Sequence, residues 1–404
     1  MAIASTGFMA APGFFSSTLA AKLDKIDCSQ VLAAVLKADR QLLGHIKMGP
    51  VAHNIEFNWI EDELNAVTFE ARALVSTSIS VDGFAATASL EAVVRAGALL
   101  AVTNAAESAV NDYVLLVATV TDQSTIETSS YGNTTMTTVS TTSTWTVIGQ
   151  PYGDSSDASS DISKIRTKKR NFTQIFERAV EIAQSRKGMD AEAVVNELQL
   201  QIKYRTMEMK RELDMALILG MAYYSGGFSG DIDQRTTMGI INYLRDPDLD
   251  GTREDTMVTD NNGAALTVAI LNTAMYNIWN AGGLDEMADP IIAVGAGQQR
   301  IIAAWEKDIR RVEQGERQVG YYRDVFLSDM GVEVPVVLDR WIPNDRLLII
   351  DRARIAIRPL AGDQWHMEKM AKTGRSEKWQ LSGQYGLEFR NPDKCHYLIT
   401  DLSS

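Results

Sequence analysis

The chain has 404 residues, 45% apolar and 23% charged, enough for a buried core and for roughly two to three domains or one elaborated fold. Thirty-nine basic residues against fifty-two acidic ones leave a net charge of −13, which repels phosphate backbones and disfavours general wrapping of nucleic acid. No apolar run approaches the roughly 18 residues that a bilayer crossing needs.

Cys28 and Cys395 lie far apart and read as free thiols of a reducing compartment. His45, His53, His366 and His396 are scattered without metal spacing, so zinc and thiol chemistry are not expected. The opening MAIASTGFMAAPGFFSSTLAAKL is apolar, but it lacks a basic start and is broken by Gly7, Pro12 and Gly13. A secretory signal is therefore not expected.

In chain order, Ser29 to Ile46 has weak helical spacing, with Ser29 as a candidate cap and Val31, Leu32, Val35, Leu42 and Leu43 on one side. The next segment, led by Phe57, Trp59 and Ile60, is compatible with strand or helix. From Ala96 to Ser163 there is no Lys or Arg, while Glu107, Asp112, Asp122, Glu127, Asp154, Asp157 and Asp161 are present, which marks a separate unit. Within it, Tyr113 to Thr121 reads as a strand, and the Thr-rich tract up to Trp145 and Ile148 as part of paired β-ribbons.

A basic cluster follows: Lys164, Arg166, Lys168, Lys169 and Arg170. It lacks the interleaved aromatics of a nucleic-acid clamp and is expected to pair with acidic surface on a neighbouring chain. The clearest element starts at Asp190, a candidate N-cap, and meets no Pro or Gly before Gly220. Val194, Leu198, Ile202, Met209, Leu213 and Leu217 keep helical spacing, and Glu197, Lys203, Arg205, Glu208, Lys210, Arg211, Glu212 and Asp214 form the expected solvated face. Such a helix would extend about 45 Å.

Beyond Gly226, Gly227 and Gly230 the pattern turns to mixed α and β. A helix is expected over Leu266 to Trp279, stopped at Gly282 and Gly283, followed by a short strand at Ile291 to Val294 and a second helix. Strand-like runs YYRDVFLS, VEVPVVLDRWI and RLLIIDRARIAIRPL come next, and a terminal pair, SGQYGLEFRN and CHYLITDL, closes the chain.

Two motifs suggest chemistry. Gly295-Ala296-Gly297 follows an apolar strand and opens a helix, as a dinucleotide fingerprint does, but Arg300 stands where the third glycine belongs, so an ordinary strand-to-helix turn is favoured. Asp246, Asp248, Asp250 and Gly251 imitate the start of a calcium loop, but Met257 occupies the place of the bidentate Glu, which favours a plain acidic loop. No catalytic, cofactor-binding or metal-ligating residue and no cofactor is assigned.

The order of a flexible arm, an extended β excursion, one very long helix, a mixed region and a β return resembles the major capsid proteins of tailed double-stranded DNA bacteriophages, the Hong Kong ninety-seven type of fold. The residues that carry the resemblance are Asp339-Arg340-Trp341-Ile342-Pro343, LLIIDRARIAIRPL, Lys369-Met370-Ala371-Lys372-Thr373-Gly374 and YGLEFRNPDKCHYLITDL, with Asn171-Phe172-Thr173-Gln174-Ile175-Phe176 and the LILG end of the long helix before them.

The resemblance implies an α+β capsid fold. Residues 1–55 would be the N-terminal arm and 56–185 the extended loop, with a β insertion at about 96–163. Residues 186–225 would be the spine helix of the peripheral domain, 226–335 the axial domain and 336–404 the C-terminal part of the peripheral domain. It implies no enzyme, but a structural protein that self-assembles into hexamers and pentamers of an icosahedral head. Scaffold, portal and decoration proteins would be its partners, with enclosed double-stranded DNA bound without sequence specificity, no membrane, and the host cytoplasm as the place of assembly. Arg340, Asp351 and Arg352 are candidates for interface pairing or for bonds within the subunit. The alternatives are an encapsulin-like shell, a nucleotide-dependent enzyme using the Gly295 turn, and a surface adhesin on the Thr-rich unit, the last disfavoured without a signal.

Overall fold

The structure, a computed structural model, describes residues 41–62, 64, 68–75, 78–81, 94–103, 113–122, 125–130, 144–154, 156–157, 166–187, 197–224, 234–284, 287–305, 309–311, 324–372 and 374–403. The expected Ser29 and Asp190 caps, Lys164 and the glycines at 226, 227 and 230 lie outside them. Two units result: one joins the residues up to Phe57 with those from Asn171 onward, and the other is Asn58–Arg170.

The second unit holds a closed barrel of six strands, in the order Thr68–Val75, Ser78–Val81, Thr125–Ser130, Tyr113–Asp122, Leu99–Thr103 and Thr144–Gly149, all pairs antiparallel. Pairing of Phe69 with Trp145 helps to close it. Closure leaves these β-branched strands without the open edges that ribbons alone would have. Of the expected ribbons, Tyr113–Asp122 and Thr144–Gly149 are strands of this barrel, and the rest of the Thr-rich tract, residues 131–143, lies outside the described residues. Its first two strands precede residue 96, so the shift in composition falls within the unit and does not mark its start.

Among the described residues the first unit contains two large sheets and a two-stranded ribbon of Tyr223–Tyr224 with Arg235–Thr236. In the five-stranded sheet, Ser376–Phe389 pairs with Gln174–Ala183 on one side and, on the other, with Ile355–Pro359 and then His366–Lys369, all antiparallel; Lys47–Met48 runs parallel to Ile355–Pro359. The seven-stranded sheet runs Val258–Asp260, Tyr397–Thr400, Leu347–Asp351, Pro290–Val294, Glu333–Leu338, Asp324–Leu327, Ile309–Arg311. Its central strands LLIID and YLIT are buried along their whole length, as expected of near-continuous apolar runs covered on both faces. Helix Val268–Asn280, capped by Thr267, packs Leu271, Ala274, Met275 and Ile278 into the core that these strands share.

The run RLLIIDRARIAIRPL, expected as one strand-like stretch, is cut in two. Leu347–Asp351 belongs to the seven-stranded sheet and Ile355–Pro359 to the five-stranded one, with a 3₁₀ turn at Arg352–Arg354 between them. Asp351 makes the cut by accepting the Ala353 N–H at 3.0 Å, a side-chain cap that ends the ladder. SGQYGLEFRN and CHYLITDL likewise fall in different sheets and are not a pair.

The long helix is described over Glu197–Leu219, 23 residues or about 34 Å. Met209, Leu213, Leu217 and Ile218 are buried on one side, and Asp214, expected on the solvated face, is buried with them. Just past the helix end, a Cβ on Gly220 would overlap the Ala216 and Thr237 carbonyls, so this close approach requires glycine. The segment left open between strand and helix is the strand Glu56–Glu61, where Trp59 Nε1 donates to Glu61 at 2.8 Å.

Candidate assembly surface

The two chemistry-like motifs resolve into packing. Strand Pro290–Val294 does pass through Gly295 into a helix, Ala296–Ala303. The amide that would hold a phosphate is taken, however: Gly297 N donates to Asn344 Oδ1 at 3.0 Å, and Gln298 Nε2 donates to the Asn344 and Ser403 carbonyls at 2.7 and 2.9 Å. A Cβ on Gly295 would lie 2.7 Å from the Ile342 carbonyl, so glycine is required here by the approach of the 342–344 loop and not by a cofactor.

In the acidic loop, Asp246 accepts the Asp250 and Gly251 amides at 3.2 and 3.0 Å, and Asp250 accepts Thr252 N at 2.6 Å. The Thr252 hydrogen bonds hold the Asp250 carboxyl below the ordinary carboxylate range. These oxygens shape a turn, with Gly251 at φ +86°. Among the described residues no group of three or more acidic, His or Cys side chains is placed to hold a metal.

Of the three interface candidates, two are committed within the subunit. Asp351 is fully buried, accepting Ala288 N and Asp289 N at 3.3 and 3.0 Å besides Ala353 N, and pairing with Arg354 at 3.5 Å. Arg352 pairs with Asp289 and lies 3.0 Å from His45 Nδ1. Arg340 is exposed. In the basic cluster, Arg166 pairs with Asp62 of its own chain at 2.9 Å.

Sequence reasoning missed a buried polar hub. Glu388, with no exposure, pairs with Arg358 and Arg390. His396 Nδ1 accepts Asp351 N at 3.2 Å and its Nε2 faces the Arg390 carbonyl at 3.0 Å, so the ring is neutral and protonated on Nε2. Burial, with Arg354 nearby, pushes its pKa down to about 3 against the opposing pull of the Arg390 hydrogen bond. Asn171 forms a second buried anchor: Nδ2 donates to the Leu387 and Met238 carbonyls at 2.7 and 3.2 Å, and Oδ1 accepts Met238 N at 2.9 Å.

Among the described residues the first unit also exposes apolar and edge-like groups. Tyr276 and Trp279 stack on the outside of helix Val268–Asn280 with centroids 6.0 Å apart. Strand His366–Lys369 is exposed at every residue. Aromatic and Met side chains left in solvent on a rigid scaffold suit contacts with another protein surface.

The family model for the SU10 major capsid protein matches residues 13–403. The chain belongs to this family. A major capsid protein of Escherichia phage Phieco32 is 22% identical over 279 residues, covering 57% of this chain and 76% of that one. Among solved structures, the capsid of an empty GTA particle aligns over 96% of this chain and 99% of its own, with TM-score 0.52 and 10% identity. The capsid of the native GTA particle aligns over 97% and 100%, with TM-score 0.50 and 10% identity. The fold is therefore the mixed α+β fold of phage capsids, and the chain is a structural subunit of a phage shell.

Proposed function

We propose that the chain forms hexamers and pentamers that close into an icosahedral head around double-stranded DNA. The observation that carries this is the family match from residue 13 to 403 on a fold whose enzyme-like turn is filled by its own Asn344. Residues 1–55 act as the arm, and 56–185 as the extended loop, here carrying the barrel. Residues 186–225 act as the spine, 226–335 as the axial domain and 336–404 as the rest of the peripheral domain. The net charge of −13 suits a container that must later release its DNA. Assembly takes place in the host cytoplasm, with scaffold, portal and decoration proteins as partners, and the chain catalyses no reaction.

Negative-stain electron microscopy with light scattering, across rising protein concentration and ionic strength, tests this reading. Closed shells or uniform capsomers are expected; a chain that stays monomeric at high concentration overturns it. Cargo protein in place of nucleic acid inside shells purified from an infected host would shift the reading to an encapsulin-like compartment. Nicotinamide dinucleotides are expected to leave the melting temperature unchanged.

A further inference from the structure

The five-stranded sheet has one row that the chain's own N-terminal segment fills and one beside which none of the described residues forms a strand. Ile355–Pro359 and His366–Lys369 lie on the same side of Ser376–Phe389, one after the other. Along the outer edge of the first, Gly49 N donates to Ile357 O at 2.8 Å, Ala52 N to Pro359 O at 2.7 Å, and Ala361 N to Ala52 O at 2.8 Å. There the covering segment turns away, and Ile55 O accepts Thr173 N at 2.9 Å. Among the described residues no strand takes the same place beside His366–Lys369.

The direction of the open groups follows from the ladder. Met370 N donates inward to Lys378 O at 3.0 Å. Backbone groups alternate along an antiparallel strand, so Glu368 and His366 also bond inward, while the N–H and C=O of Met367 and Lys369 point outward. Trp365 (36% exposed), Met367 (46%) and Met370 (46%) flank this edge. Lys372 and Arg375 are exposed beside it, a basic rim on a chain of net charge −13.

We infer that the outer edge of His366–Lys369 is an assembly edge that accepts an extended segment of a second copy of this chain by strand addition. The inference rests on the capsid-subunit reading. It commits to a second copy because the empty row continues one already covered by this chain's own backbone, and because the basic rim complements an acidic partner. A bare edge flanked by Trp and Met would otherwise be an aggregation site.

Hydrogen exchange on the full chain, before and after shell assembly, tests this directly. The amides of Met367 and Lys369 are expected to slow at least about tenfold on assembly, with Glu368 already slow beforehand. Met367→Pro removes an outward donor without touching the ladder and should keep the wild-type circular dichroism and melting while failing to assemble. Met367→Ser keeps the donor and should assemble. Shells in which the Met367 and Lys369 amides stay unprotected, normal assembly by Met367→Pro, or protection of those two amides that appears only when another virion protein is added would each overturn the inference. Failure of the wild-type chain to form any shell would overturn the capsid reading and this inference with it.

Discussion

His396 makes the unassembled subunit acid-sensitive by a calculable amount. The imidazole is sealed between the Asp351 amide and the Arg390 carbonyl and packed 4.2 Å from the Phe389 ring. Its folded pKa of about 3 lies below the roughly 6.5 of an unfolded His. The unfolded chain therefore takes up a proton that the folded one refuses, and stability falls as the pH drops below about 6.5, levelling off only near pH 3. The slope is about 1.4 kcal/mol per pH unit, so roughly 2–3 kcal/mol per chain is lost between pH 6.5 and 4.5. Carboxylates that are paired in the fold add losses of the same sign, which makes the difference between two chains the useful quantity. His396→Gln has no titrating ring but can still accept from Asp351 N and donate to the Arg390 carbonyl. Urea unfolding of both chains from pH 7 to 4.5 should give curves that converge toward low pH by about one proton's worth of slope. Parallel curves, or an imidazole that titrates near pH 6 in the folded chain by NMR, would refute the burial argument.

Three further substitutions probe the packing. Gly283→Ala places a Cβ on the Lys394 carbonyl, backbone against backbone, and is expected to cost more than about 3 kcal/mol or to abolish soluble expression, read by thermal melting. Glu388→Gln leaves Arg358 and Arg390 around an uncharged amide and should cost about 3 kcal/mol in urea unfolding; a loss below about 1 kcal/mol would show that the arginines reach water instead. Asn171→Ala strands the Met238 amide and the Leu387 carbonyl in the interior, with an expected loss of about 2–4 kcal/mol, measured the same way.

How much the sequence disclosed follows from the range of each signal. The long helix, the Leu266–Trp279 helix and the buried strands announce themselves through local periodicity and apolar runs, and their observed spans shift by only a few residues where described. The barrel was visible only as β-branched composition, because closure depends on the pairing of Thr68–Val75 with Thr144–Gly149, some seventy residues away. Asp214 was misplaced because helical spacing records which face a charge should occupy, not which charges a core has reason to hold. The hub was invisible for a related reason. Glu388, Arg390 and His396 are near neighbours in sequence, but Asp351, Arg354 and Arg358 reach them only after the chain has crossed from one sheet to the other.

That crossing also bears on how load passes through the first unit. Asp351 ends a strand of one sheet, and four residues later Ile355 starts a strand of the other, so the Arg352–Arg354 turn joins both sheets covalently. The same turn is tied to helix Gln41–His45 through Arg352 and His45, while Leu42 N donates to Asp339 Oδ2 at 3.0 Å. Charges so tied within one subunit contribute little to contacts between subunits, since breaking a buried pair costs more than a rim contact returns. On the strand-addition inference, contacts between subunits then fall to groups that pair with nothing among the described residues, such as the outward amides of Met367 and Lys369.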